Sequence, residues 1–403
     1  MIYDTLIIGG GVAGLTVAGG LAERGQRVIL FDKWGNWGGR VYTYHGPKGL
    51  HYEIGAGRIF HGHKRVAAIV DKLKLERYYF GTDSLWEAKE PNNFQTLFMP
   101  IRAALSTLSE ETLATHTIAE LIPKSLHPLL TKFPYRSEFY LLRADEALKF
   151  FSPSATMGTR DSHSYYTVAG GLDAIPKALA AEAKAHGAIL KQNATVKDVA
   201  KLGHDNFEAI VEIKGVRHNY KARKVIFATC RCSLSDFTIL KKTPVLKQTA
   251  TAPLTRIYAI YPPDPVTGKA WFAGMPNVVT SNPLRFVIPI NAKSGLIMIS
   301  YTDGDDTNHW KDLSGAALEA EIQRCAKELF TDRVIPKPTY LKQHRWGGGC
   351  TYWLPGNYNV SEASKAAHNP APGVYITGES ISKTQCWIES ALESAETLLK
   401  ILD

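Results

Sequence analysis

Four glycine-rich stretches in this 403-residue chain deliver side chains suited to chemistry. The first is Gly9, Gly11 and Gly14 in IGGGVAGL, with Asp32 eighteen residues after Gly14. In a G-x-G-x-x-G pattern the first glycine permits a tight turn and the second lets a pyrophosphate approach the backbone. The third allows close helix–strand contact, and an acid ending the next strand accepts ribose hydroxyls. The second and third stretches, Gly38-Gly39-Arg40 and Gly55-Ala56-Gly57-Arg58, each set a permanently charged fork of donors behind pliant backbone. The fourth is RWGGGCTYWLPG at 345–356, where three glycines lead into Cys350, Thr351 and Tyr352. A thiol held on such backbone can approach a ligand closely.

These groups need elements to position them. YDTLII followed by the glycines, then VAGLTVAGGLAERG and RVILFD, reads as strand, turn, helix, strand, which sets Asp32 at the end of the second strand. Strand, motif, helix and acid in order indicate a bound dinucleotide, with Arg40 expected near its pyrophosphate. Residues 76–160 are rich in helix formers and capping patterns such as SEETL at 109–113. Residues 241–340 hold the strand-like runs RIYAIYP, RFVIPI and GLIMISY, then the helical LSGAALEAEIQRCAKEL.

Composition narrows the classes. With 45% hydrophobic and 21% charged residues the chain is globular, and its length suggests more than one core. The net charge of +9 is scattered in pairs such as Lys64-Arg65 and Lys241-Lys242, so no nucleic-acid partner is expected. No apolar run is long enough to span a membrane and no cleavable leader is legible, which makes the cytoplasm the expected compartment and a membrane anchor unexpected. Five cysteines at Cys230, Cys232, Cys325, Cys350 and Cys386 form a poor disulfide framework, and their spacing completes no metal set.

The GGR and GAGR segments resemble those of the flavin amine oxidase family, which includes monoamine, polyamine and L-amino acid oxidases. The similarity recurs in TVAGGLDAIPKAL (167–179), NATVKDV (193–199), ARKVIFATC (222–230), PGVYITGES (372–380) and CWIESALESAETLL (386–399). It implies an α/β two-domain flavoprotein: a Rossmann-type FAD-binding domain from residues 1–75, 161–240 and 341–403, and an interwoven α+β substrate domain from 76–160 and 241–340. It also implies FAD as cofactor, held by the first glycine motif, Asp32, Gly39, Arg40, Gly55, Ala56, Gly57 and Arg58. Val196 is expected at the adenine, with Gly378, Glu379, Trp387 and Ile388 at the flavin ring and ribityl chain.

The same resemblance assigns reaction roles. Trp387 stands where an aromatic residue flanks the substrate amine, and Arg256 stands in register with a lysine that serves flavin N5 through water. Arginine cannot act as a base there. Cys350 falls where monoamine oxidases carry a thioether to the flavin 8α carbon. Thr351 occupies the next position, with Tyr352 expected to point away from the substrate. Arg58 matches the arginine that forks onto a substrate carboxylate in L-amino acid oxidases.

Three functions stay open. The first is oxidation of an amine to an imine, then aldehyde or ketone, with O2 reduced to hydrogen peroxide. The second is L-amino acid oxidation through Arg58. The third is flavin binding with little turnover, suggested by Arg256 and by Cys386 and Ser390 where the family usually has glycine.

Overall fold

The strand Ile2–Ile8 buries its last four residues, and the helix Val12–Glu23 behind it is apolar on almost every face. Such a helix must be covered all round, and the helices Ala174–Ala185 and Ile388–Ile401 pack against it. The computed structural model describes residues 1–81, 83–152, 164–203 and 206–403.

Ile2–Ile8 pairs in parallel with Val28–Phe31 on one side and with Val216–Phe227 on the other. Ile189–Lys191 extends the sheet beyond Val28–Phe31, and Val374–Ile376 joins in parallel at Val225–Phe227. The antiparallel strands Ala194–Lys201 and Phe207–Ile213 complete its seven members. Parallel strands with helices over the sheet read as continuous apolar runs, and VILF at 28–31 is buried throughout.

A second seven-stranded sheet runs in the order Tyr340–Trp353, Thr249–Ile260, Leu296–Asp303, Phe286–Asn291, Asn277–Val279, Ser84–Trp86, Glu90–Pro91. Its core, with Ile257, Ile297, Ile299 and Trp310 fully buried, packs under the helix Gly315–Leu329. Tyr340–Trp353, which falls largely in the segment assigned above to nucleotide binding, is hydrogen-bonded into this second sheet. A three-stranded sheet of Ile59–Phe60, Tyr165–Val168 and Arg77–Phe80 lies beside the cofactor loops. Helices between Phe94 and Phe150 close one side, and Ser109 caps the helix Glu110–Thr115 by accepting from the Thr112 N–H at 3.1 Å.

One cysteine expectation is corrected. Cys230 and Cys232 are joined as a disulfide, and their Cα atoms stand 5.4 Å apart. That separation lies inside the range a disulfide bridges, because the chain turns into the short helix Arg231–Leu234 between them.

Candidate active site

The two large sheets enclose a cavity of about 1690 Å³. That exceeds the volume of an ordinary small-ligand pocket, and it matches a site that holds a dinucleotide and a substrate together. At one end the turn after Ile2–Ile8 brings the glycine motif to the cavity. Gly9 has φ of +111°, and a Cβ there would stand 2.5 Å from the Ala228 carbonyl oxygen. A Cβ on Gly14 would stand 2.0 Å from the Gly9 carbonyl oxygen, so Gly14 serves helix packing and does not line the cavity. Gly11 does line it, with open space where a side chain would be.

Asp32 accepts the Gly10 N–H at 2.5 Å and the Trp34 N–H at 2.7 Å, which fixes the carboxylate at the C-terminal end of Val28–Phe31. Burial raises its pKa, and those two backbone bonds oppose the rise. Val196 lies on the strand Ala194–Lys201 and faces the same end. These features form a cradle that a dinucleotide's phosphates and ribose would fill.

Farther in, the cavity is lined by Gly39, Arg40, Gly55, Ala56, Gly57 and Arg58, and by Gly378, Glu379 and Ile388 from the last strand and helix. Arg40 does not stand free for a phosphate. Its Nη2 pairs with Glu379 Oε2 at 2.7 Å and its Nη1 donates to the Gly349 carbonyl at 3.1 Å. Glu379 also accepts the backbone N–H groups of Thr351 at 2.9 Å and Cys386 at 3.2 Å, so its carboxylate acts as a clamp. The Gly378 N–H donates to Ser394 Oγ at 2.9 Å.

The strand Tyr340–Trp353 turns Cys350 and Tyr352 toward the cavity and Thr351 away from it. Thr351 is fully buried, with its hydroxyl 3.3 Å from Glu379 Oε2 and 3.5 Å from Ser380 Oγ. The expectation for these two residues is therefore reversed. Alternation along the strand holds, but the face presented inward is that of Cys350 and Tyr352. Cys386 has φ of +75°, a conformation that favours glycine, and its Sγ reaches the Thr351 carbonyl at 3.4 Å.

Trp387 precedes the last helix and lines the cavity, its buried indole N–H meeting no acceptor among the described residues. Its ring lies 6.5 Å from that of Tyr165, nearly parallel at 14°. The Arg58 guanidinium sits over both, 4.5 Å from the Tyr165 ring and 5.7 Å from the Trp387 ring, with Tyr135 at 5.8 Å. Such stacking suits a cation that is only weakly hydrated. His63 meets the edge of Trp387 at 4.9 Å, and burial depresses its pKa to about 4, so it is neutral here.

Arg256, buried on the strand Thr249–Ile260, donates from Nη1 to the Glu53 carbonyl at 3.0 Å and lies over the Tyr301 ring at 4.7 Å. A Cβ on Gly57 would stand 3.2 Å from the same Nη1, which puts Arg256 directly against the GAGR loop. Its Nε is buried and meets no acceptor among the described residues.

Sequence reading did not single out Tyr135, Glu138, Tyr301 or Asp303, which line the cavity, or the buried Tyr165 that stacks on Trp387 and Arg58 behind it. Glu53, two residues before the GAGR loop, was not singled out either, and burial raises its pKa to about 7. Tyr165, two residues before TVAGG, carried the nearest usable signal.

Among the described residues, the only His, Cys and carboxylate cluster with ligand atoms within 4.8 Å is His309, Glu321 and Cys325. Arg324 already pairs with that Glu321 at 2.6 Å. No described helix is long and apolar enough to cross a membrane.

Comparison with known proteins accords with this geometry. Residues 12–158 and 146–397 match the family model for flavin containing amine oxidoreductase. The L-amino-acid oxidase of Echis ocellatus is 25% identical over 477 aligned positions, covering 98% of this chain and 88% of the relative. A putative L-amino-acid oxidase of Bacillus subtilis (strain 168) is 23% identical, covering 96% and 92%. Among solved structures, cyclohexylamine oxidase from Brevibacterium oxydans IH-35A superposes with a TM-score of 0.76 at 16% identity over the full length of both chains. Putrescine oxidase bound to putrescine superposes with a TM-score of 0.74 at 16% identity, covering 100% of this chain and 99% of that one. With a mixed α/β, two-domain architecture and a family match running through nearly its whole length, the chain is an oxidoreductase that belongs to the flavin-containing amine oxidoreductases.

Proposed function

We propose that the chain binds FAD and oxidatively deaminates an amine that also bears a carboxylate, which makes it an L-amino acid oxidase in type. Held by the glycine motif and Asp32, a bound FAD would supply a hydride acceptor and an outlet for the electrons to O2, which is reduced to hydrogen peroxide. The observation that carries the reading is the pair of guanidinium groups at one cavity. Arg256 is buried with its Nε meeting no acceptor among the described residues, and Arg58 shares the cavity with it.

Two cations side by side repel a positively charged amine and favour an anion between them. A carboxylate that accepts from a guanidinium gains about 1.5–3 kcal/mol, roughly twice the gain from a neutral hydrogen bond. Trp387, backed by Tyr165, would exclude water on one side and keep the amine carbon in a fixed attitude. With Arg256 in place of a lysine, no side chain at that position can take a proton at ordinary pH. The imine product hydrolyses to a keto acid and ammonia.

A simple amine is the second reading, favoured by the aromatic wall of Trp387 and Tyr165. A peroxide-coupled screen of amino acids against the matching decarboxylated amines separates the two. Oxidation of the amino acids alone is expected, with Arg58→Lys raising their KM by about tenfold or more. Equal oxidation of the amines would sink the carboxylate reading.

A further inference from the structure

We propose that Glu138 is a specificity-determining residue that receives a second cationic group on the substrate, so that the preferred substrates are dibasic amino acids. The inference rests on the reading above and deepens it.

Glu138 lies in the helical turn Ser137–Tyr140 and lines the same cavity as Arg58 and Arg256. Only 4% of it is exposed. Its Oε1 accepts the Tyr352 hydroxyl at 3.3 Å, while Oε2 is buried and meets no donor among the described residues. A buried carboxylate oxygen without a donor is costly unless a cation reaches it.

Asp303, at the end of Leu296–Asp303, also lines the cavity and accepts the N–H groups of Arg136 at 3.2 Å and Ser137 at 3.0 Å. It therefore anchors the turn that carries Glu138 and adds a second carboxyl group beside it. This part of the cavity thus brings the guanidiniums of Arg58 and Arg256 together with the carboxyl groups of Glu138 and Asp303. A substrate with one carboxylate, one reacting amine and one further cation complements both pairs.

The charged and titratable groups that face Glu138 are Asp303, Arg58, Tyr135, Tyr352 and Cys386. Burial first, then Asp303, pushes the Glu138 carboxyl up to about 8 against the opposing pull of Arg58, so it keeps its proton at neutral pH until a substrate cation reaches it. A docking cation expels that proton.

The test is calorimetric titration of the holoenzyme with 6-guanidinohexanoate and with hexanoate, in two buffers of different ionisation enthalpy. Neither ligand has an α-amine to oxidise. The guanidino ligand is expected to bind about tenfold tighter or better, with release of a proton that hexanoate does not cause. In Glu138→Gln both the advantage and the proton release should vanish while hexanoate affinity is unchanged. No preference in the parent enzyme, or a preference that survives Glu138→Gln, overturns the proposal.

Should that variant fail to fold, Glu138→Asp decides. Its shorter side chain should move the preference to 7-guanidinoheptanoate, and an unmoved preference overturns the proposal. Arg58→Lys separates the two layers. Hexanoate binding that ignores Arg58 overturns the carboxylate reading, whereas binding that depends on Arg58 without any guanidino preference overturns only the role of Glu138.

Discussion

Arg40 and Glu379, 339 residues apart in sequence, meet as an ion pair 2.7 Å long. The same carboxylate holds the backbone of Thr351 and Cys386, so one charged pair ties the GGR loop to two strands of chain near the C-terminal helix. Glu379→Gln keeps the shape and removes the charge. It should cost about 2 kcal/mol of unfolding stability, as expected for a hydrogen bond to a charged group, and weaken FAD retention. Urea denaturation of the holoenzyme measures the first effect and flavin absorbance after dialysis the second. Unchanged values in both would show that the clamp is idle.

Trp387 and Arg256 should separate in kinetics. Trp387→Ala removes an aromatic wall whose indole N–H makes no bond among the described residues, so turnover should fall by about tenfold or more with little change in melting temperature. Arg256→Lys restores a group that can titrate and should change the rate of reoxidation by oxygen. Stopped-flow traces of the reductive and oxidative half-reactions assign each effect, and unchanged traces would remove the residue concerned from the reaction.

Cys350 is half-buried and faces the cavity. If it lies against the dimethylbenzene edge of the flavin, maleimide should label it about tenfold more slowly in holoenzyme than in apoprotein, by mass spectrometry. Acid precipitation then resolves the bond that the family resemblance raises. A yellow pellet with FAD mass retained establishes a thioether, and a colourless pellet limits Cys350 to contact.

Glu53 predicts a pH dependence. Its carboxylate accepts the Leu172 N–H at 2.7 Å and the Thr43 hydroxyl at 3.0 Å, yet burial dominates and raises it to about 7. A carboxyl raised in the folded state binds a proton there that the unfolded chain releases. Its contribution is complete below about pH 4.5 and is lost as pH climbs to about 7, on the order of 3 kcal/mol across that window. Glu53→Gln should flatten this decline in melting temperature. His63 works in the opposite sense between about pH 4 and 6.5, so His63→Gln is the control. A parent and a Glu53→Gln variant with parallel profiles would refute the assignment.

The nucleotide end of the cavity was legible because its information is local. Gly9, Gly11, Gly14 and Asp32 lie within one strand, helix and strand, and each has a separate physical task. The substrate end was legible only in part. Tyr135, Glu138, Tyr165 and Tyr301 come from a helical region and two different sheets, and only tertiary pairing brings them together. Alternation predicted that Thr351 and Tyr352 face opposite ways, but which face turns inward depends on the partner strand. There the register shifts between Ala252 and Leu254, opposite the glycine run before Cys350. The Cys230–Cys232 pair was missed because a count of cysteines carries no information about a turn.

The parallel sheet that carries the N-terminal glycine motif is finished by Val374–Ile376, paired to Val225–Phe227. During synthesis the last strand of this sheet emerges about 360 residues after the motif. At ordinary elongation rates that interval is on the order of twenty seconds to over a minute. For that time the nascent chain carries an unfinished sheet whose apolar surface is open to aggregation or to chaperones.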